Sequence, residues 1–297
     1  MVFSSAVPTN VRAPVPIAEY LASRFTYHSP EKWAEITGEG RVCINGAVVT
    51  WQDCVNAGDT VSYDPGDFEE PPADLSYSII YEDEWTLAVN KPGNLLVHRA
   101  GRSFRNNLVY QLRTVNNPPY PGCHPVHRLD RETSGVVLVA KDSEQGGIFG
   151  KLFVDGSITK IYKAVVAGCP DVTAPFVIEG AISADKGAAE GRCKFRVDDG
   201  GKPAVTVIEG ARVFDNGLSL LTIRPVTGRT HQIRVHLAHI GFPIEGDSVY
   251  GFVDGDGIVS RRHALHCESL SFTHPHTGKY CEIKAELPAD IAAMLNN

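Results

Sequence analysis

The chain has 297 residues, 43% hydrophobic and 21% charged, the composition of a folded protein with room for one large domain or a large and a small one. No apolar run reaches the ~18 residues that a membrane-spanning helix needs, so no membrane partner is expected. The net charge of −7 is uneven, with 4 basic and 11 acidic residues through Ser76 and 24 of each thereafter; it neither requires nor excludes a polyanionic partner, because salt limits surface charge effects to roughly 8 Å.

Residues 1–15 read as a flexible N-terminus, and Met1 to Pro16 lacks the charged-then-apolar pattern of an export signal. From there, IAEYLASRF (17–25) has helical apolar spacing. Ser29-Pro30 supplies an N-cap and a first-turn proline for a second helix carrying Trp33 and Ile36. RVCI and AVVTW then flank Asn45-Gly46, a two-residue hairpin turn, and TVSY follows a further turn. Residues 16–63 therefore form a small module of two helices and a hairpin. The stretch 64–76, DPGDFEEPPADLS, is rich in proline and acid and reads as a solvated linker.

Residues 77–297 are mostly strands with scattered helices, which predicts an α+β, mostly antiparallel domain around an active-site cleft. SYSIIY and WTLAVN pair around an acidic turn, and NNLVYQLRTV (106–115) predicts a short helix with Leu108, Leu112 and Val115 on one side. VVLVAK (136–141) and ITKIYKAVVAG (158–168) are strands, and AVTVIEGARVF pairs with LSLLTIRPV across Asp215-Asn216-Gly217. Thr230 is placed to cap a helix, HQIRVHLAHI, with Ile233, Leu237 and Ile240 inward and Gly241 as its stop. EQGGIFGKLF (144–153) has three glycines that weaken any helix there.

The chemistry concentrates in HPVHRLDRETSGVVLVAKD (124–142). One carboxylate, Asp130, stands between arginines in a loop just before an apolar strand, where adjacent cations favour its ionised form. Thr133, Ser134 and Gly135 are small enough for a tight turn. Glu132 is a second carboxylate nearby, and two cooperating carboxylates are what a glycosidase would need. Cys123, His124 and His127, and separately His263, His266 and Cys267, lack the paired spacing of a zinc site, so no metal is expected. No phosphate-cradling glycine loop occurs, so no nucleotide cofactor is expected. Seven scattered cysteines, odd in number and never CxxC, fit a reducing cytoplasm rather than a disulfide framework.

HRLDRETSG resembles the catalytic signature of the RluA-type pseudouridine synthases. Further blocks follow in that family's order: YEDEWTLAVNKPGNLLVH before it, then KIYKAVVAG, GKPAVT, VTGRTHQIRVHLAHIGFPIEGDSVYG and LHCESLSFTHP. GRVCINGAVV with AGDTV resembles the αL RNA-binding module named after a ribosomal protein, although this one is acidic. The resemblance implies an RNA substrate, ribosomal or transfer RNA, with ribosomal RNA favoured, and a chemistry without a cofactor; a monomer is the default. A catalytically silent RNA-binding or ribosome-assembly factor of the same fold is the alternative.

The resemblance also implies roles. Asp130 is the nucleophile, attacking the ribose anomeric carbon or carbon 6 of the uracil. Tyr162, on the same side of its strand as Lys160, stacks on the flipped base. Arg234 pairs with Asp130 through a bidentate guanidinium. Arg128 fills the gap left by the displaced nucleotide, Arg229 contacts phosphate, and His127 serves the site through hydrogen bonding. Two departures stand out: Asn94 where glycine is usual, at a turn that asparagine tolerates, and Cys267 where alanine is usual.

Overall fold

The computed structural model describes residues 2–11, 14–66, 69–170, 175–185, 194–251 and 262–296. It divides into two compact units, Met1–Pro71 with Arg99–Phe104, and Pro72–His98 with Arg105–Asn297.

The first unit contains β1 (Phe3–Ala6), β2 (Val15–Pro16), α1 (Ile17–Arg24), α2 (Pro30–Gly38), β3 (Val42–Ile44), β4 (Ala47–Val48), β5 (Cys54–Val55) and β6 (Thr60–Tyr63). Ser29 starts α2 by accepting the Lys32 N–H, with Pro30 in the first turn. Asn45 and Gly46 both have positive φ, the backbone that a two-residue hairpin turn demands, and they join β3 to β4. Ile17, Leu21, Trp33, Ile36 and Val42 are buried at its core. The expected loose tail is corrected in part: Phe3–Ala6 pairs antiparallel with β6, and Phe3 stacks on Phe104 with ring centroids 3.7 Å apart. An apolar residue at the third position makes that strand worth ordering.

The second unit is built on one large sheet. Its elements are β7 (Ser78–Glu82), β8 (Thr86–Lys91), α3 (Leu108–Tyr110), β9 (His124–Pro125), β10 (Ser134–Ala140), α4 (Ser143–Val154), β11 (Thr159–Ala167), β12 (Phe176–Glu179), β13 (Ile182–Ala184), β14 (Phe195–Val197), β15 (Val205–Val213), β16 (Leu218–Pro225), α5 (Gln232–His239), β17 (Leu265–Thr273), β18 (Tyr280–Lys284) and α6 (Ala289–Leu295). The sheet order is β12-β15-β16-β11-β17-β10-β8-β7, with β18 beside β17 and β9 beside β10. Every pair is antiparallel except β10 with β17. The fold is therefore α+β with a mostly antiparallel sheet.

All seven residues of β10 are buried, as its unbroken apolar run requires of a central strand covered on both faces. β16 instead alternates, burying Ser219, Leu221, Ile223 and Pro225. The helix at 106–115 departs from expectation: after α3 the chain widens into a π turn over Gln111–Val115. Leu108 and Leu112 are buried, but the wider turn leaves Val115 59% exposed. α4 forms despite its glycines because Asp142 caps it by accepting the Gln145 N–H and Phe149 anchors it in the core.

Candidate active site

Asp130 lies in the loop 127–133 between β9 and β10, and the fold fixes both ends of that loop. At its exit, Gly135 has φ +114, and a Cβ there would overlap the Cys267 carbonyl; only glycine lets β10 close onto β17. The Thr133 N–H closes a turn on the Asp130 carbonyl at 3.2 Å. Lys91, fully buried at the end of β8, donates to the Pro92, Leu95 and Arg131 carbonyls at 2.8, 2.9 and 3.2 Å. Burial, with Arg262 as the next cause, pushes its pKa down to about 7. Arg262, forked onto Asp290, donates to the Glu132 carbonyl at 2.9 Å. Two basic side chains, Lys91 and Arg262, thus clamp the loop backbone on the residues just after Asp130.

The loop opens onto a cleft of about 620 Å³, walled by the loop, by Lys160 and Tyr162 of β11, and by the segment 225–234 that leads into α5. Arg234 Nη1 donates to Asp130 Oδ2 at 3.2 Å. The bidentate arm is directed elsewhere: Arg234 Nε and Nη2 donate to Asp247 Oδ2 and Oδ1 at 2.6 and 2.9 Å. The expected bidentate pairing with Asp130 is therefore corrected to a single bond, because the fork is occupied by a fully buried carboxylate. Asp247 also accepts the Val249 and Tyr250 N–H groups. Burial opposes its charge, but Arg234 and those donors outweigh it and hold the pKa below the usual carboxylate range. Tyr162 is 8% exposed, and burial, with the Cys267 thiol next, pushes its phenol well up.

A site of this make-up, one held carboxylate and a buried tyrosine in a cleft of nucleotide size, invites comparison with known proteins. The family model described as "RNA pseudouridylate synthase" matches residues 86–239, a span that includes Asp130, Tyr162 and Arg234. This chain belongs to that family. It is 34% identical to an uncharacterized RNA pseudouridine synthase, YlyB, of Bacillus subtilis, over 95% of this chain and 93% of that one. It is 33% identical to ribosomal large subunit pseudouridine synthase D of Pseudomonas aeruginosa, over 93% and 89%. Among solved structures, human RNA pseudouridylate synthase domain containing 1 superposes with a TM-score of 0.60 at 26% identity, covering 73% of this chain and 86% of that one. The chain is an RNA-modifying isomerase of the RluA type.

The other expected residues of the synthase distribute around the cleft. Arg128 is exposed on its lining. Arg229 is also exposed there, with its Nε donating to the Pro203 carbonyl. Its backbone N–H is not open to an anion, because it donates to Gln232 Oε1 at 3.0 Å. His127 lines the cleft, but its Nε2 accepts the Leu138 N–H at 3.0 Å and its ring stacks on Phe153. Desolvation pushes its pKa down to about 3, so it is a neutral acceptor. Thr230 does not cap α5. The residue before the helix is His231, with φ +56 and no side-chain cap, and Gln232 folds back instead, accepting from Thr227 Oγ1 and donating to the Val205 carbonyl. Glu132 is not among the residues that line the cleft; its carboxylate sits 3.2 Å from His263 Nδ1. Asn94 adopts φ +56, and its side chain accepts from Arg131 Nε.

Sequence reasoning missed Asp247, His231, Tyr250 and Lys91. All four lie in blocks that mark the family, yet nothing in their spacing reveals a buried carboxylate behind Arg234 or a buried amine at the end of β8. Lys160 lines the cleft together with Tyr162 of the same strand, and burial lowers its pKa. Among the described residues, no group of three His, Cys, Asp or Glu side chains gathers as metal ligands would, and no helix is long and apolar enough to cross a membrane.

Proposed function

We propose that this synthase isomerises a specific uridine of large-subunit ribosomal RNA, with Asp130 as the nucleophile. The supporting observation is that Asp130 opens into a nucleotide-sized cleft with Arg234 on one of its oxygens and Tyr162 among the lining residues. Asp130 attacks the anomeric carbon, displacing the base from its N1–C1′ bond, or adds to carbon 6 of the ring. On either route the N1–C1′ bond breaks, the base turns and carbon 5 bonds to C1′; the bond to Asp130 is then broken, freeing the carboxylate, while the carbon 5 proton leaves and N1 gains one. No electrons are exchanged with an outside partner. Arg234 orients the carboxylate, and Tyr162 receives the flipped base on its ring. Arg128 occupies the space vacated by the extruded nucleotide, and Arg229 and Lys160 meet phosphates.

The ribosomal target rests on the similarity to the Pseudomonas large-subunit enzyme. The test is to map pseudouridines across all RNA with and without this gene, restoring it as wild type or Asp130→Asn. A single large-subunit position lost on deletion and restored only by the wild type supports the proposal. A transfer RNA position would overturn the ribosomal target. Equal, null activity of both forms would favour a silent RNA-binding factor.

A further inference from the structure

The two oxygens of Asp130 are not equivalent. Arg234 Nη1 donates to Oδ2 at 3.2 Å, and His231 Nε2 lies 3.7 Å from the same atom. Among the described residues nothing hydrogen-bonds to Oδ1. We infer that His231 is a positioning residue which, with Arg234, holds Oδ2 and leaves Oδ1 as the attacking atom. This rests on the reading of Asp130 as the nucleophile.

The proton count supports a donor at Nε2. The Tyr250 hydroxyl accepts the Phe195 backbone N–H at 2.9 Å, and that group can only donate. Its own proton has His231 Nδ1 as an acceptor at 2.9 Å. With Nδ1 accepting, a neutral imidazole carries its hydrogen on Nε2, facing the carboxylate. The opposite tautomer would aim a nitrogen lone pair at an anion. Burial, the largest influence, favours the neutral ring, and Arg234 and His263 act the same way against Asp130 and Asp247.

The backbone carries a second sign of purpose. His231 has φ +56, a left-handed conformation that histidine adopts reluctantly, and it stands where an ordinary cap would begin α5. Gln232 satisfies the neighbouring backbone from its own side chain, so capping does not require the histidine there. Edge contacts to Phe195 and Tyr250 hold the ring between hydroxyl and carboxylate. At 3.7 Å the contact to Oδ2 is longer than a hydrogen bond, and such catalytic contacts tighten when substrate fills the site.

The test uses His231→Gly, which suits the left-handed backbone, in the full-length protein. RNA from cells lacking the gene serves as substrate, and the single-turnover rate and RNA affinity are measured. The rate should fall on the order of 10- to 100-fold, the worth of a hydrogen bond to a charged group, with affinity within about twofold. Added imidazole should restore much of the rate. N-methylimidazole, of similar shape but without an N–H to donate, should not. Tyr250→Phe removes the proton that fixes the tautomer and should slow the reaction roughly 3- to 10-fold. A wild-type rate in His231→Gly, a loss that imidazole does not repair, or equal rescue by both imidazoles would overturn the assignment. Should the glycine variant fail to fold, an undiminished rate in Tyr250→Phe would overturn it instead. An active Asp130→Asn would sink the nucleophile reading itself, a separate and distinguishable failure.

Discussion

Asp247 is the most consequential residue that family resemblance did not single out, and Asp247→Asn tests its role with little change of shape. The wild-type carboxylate is fully buried and accepts both arms of Arg234 at 2.6 and 2.9 Å. An asparagine keeps one acceptor but turns an amide N–H towards a guanidinium N–H. It also removes the charge that neutralises a cation only 6% exposed. Breaking a buried pair costs about 3–5 kcal/mol, and Asp130 at 3.2 Å offsets part of that, so roughly 3 kcal/mol is expected. In a catalytic unit of this size that corresponds to a melting point lowered by about 6–12 °C. Arg234 would then be free to turn its fork onto Asp130, so the single-turnover rate should fall by more than about tenfold even where the variant is fully folded. The pH dependence has a definite sign. Asp247 has a folded pKa below its unfolded value, so its contribution is present above pH ~4 and is lost as pH falls through the folded pKa. The stability gap between wild type and variant should therefore be constant near neutrality and narrow only in acid. Denaturant titrations at pH 7 and pH 3 measure it. A variant as stable and as fast as wild type at pH 7 would refute the claim that Asp247 holds Arg234 in place.

Gly135→Ala should cost at least about 2–3 kcal/mol, since its Cβ would overlap the Cys267 backbone at a positive φ; a melting point within error of wild type would contradict this. Lys91, with a folded pKa of about 7 against ~10.4 unfolded, carries fewer protons when folded between those values, so its contribution to stability rises with pH across that window. Relative to Lys91→Met, the wild type should gain on the order of 2–3 kcal/mol between pH 7 and 9.5 in urea titrations, and a pH-independent gap would show that the amine is not desolvated as its burial implies. Lys160→Met should weaken RNA binding and lower the slope of log affinity against log salt by about 1, and an unaltered slope would remove Lys160 from the phosphate-contacting set.

How much was legible in the sequence depended on the range of the interaction. The hairpin at Asn45-Gly46, the cap at Ser29 and the buried strand β10 are local signals, and each element formed where the spacing placed it. The start of α5 was misread because a Thr before an apolar repeat is a local cap signal, whereas the side chain that satisfies this turn, Gln232, works through Val205, 27 residues away. Val115 was misplaced because a π turn shifts the helical phase, and nothing in QLRTV announces that widening. The candidate site was readable because one contiguous loop holds its proposed nucleophile. Its geometry was not: Asp130 and Arg234 stand 104 residues apart, and only the fold brings them together.

A single N–H from Arg234 suits the proposed nucleophile better than a bidentate pairing would. A guanidinium forked across both oxygens of Asp130 would orient the carboxylate but engage the lone pairs with which the proposed nucleophile attacks carbon, lowering its nucleophilicity. With the fork on Asp247, the same arginine is fixed by one acid and lends a single N–H to the other. The cation stays buried and neutralised, while Asp130 remains partly exposed to the cleft. The proposed role of Asp130 thus gains a division of labour between two aspartates, one buried to hold the arginine and one open to the cleft.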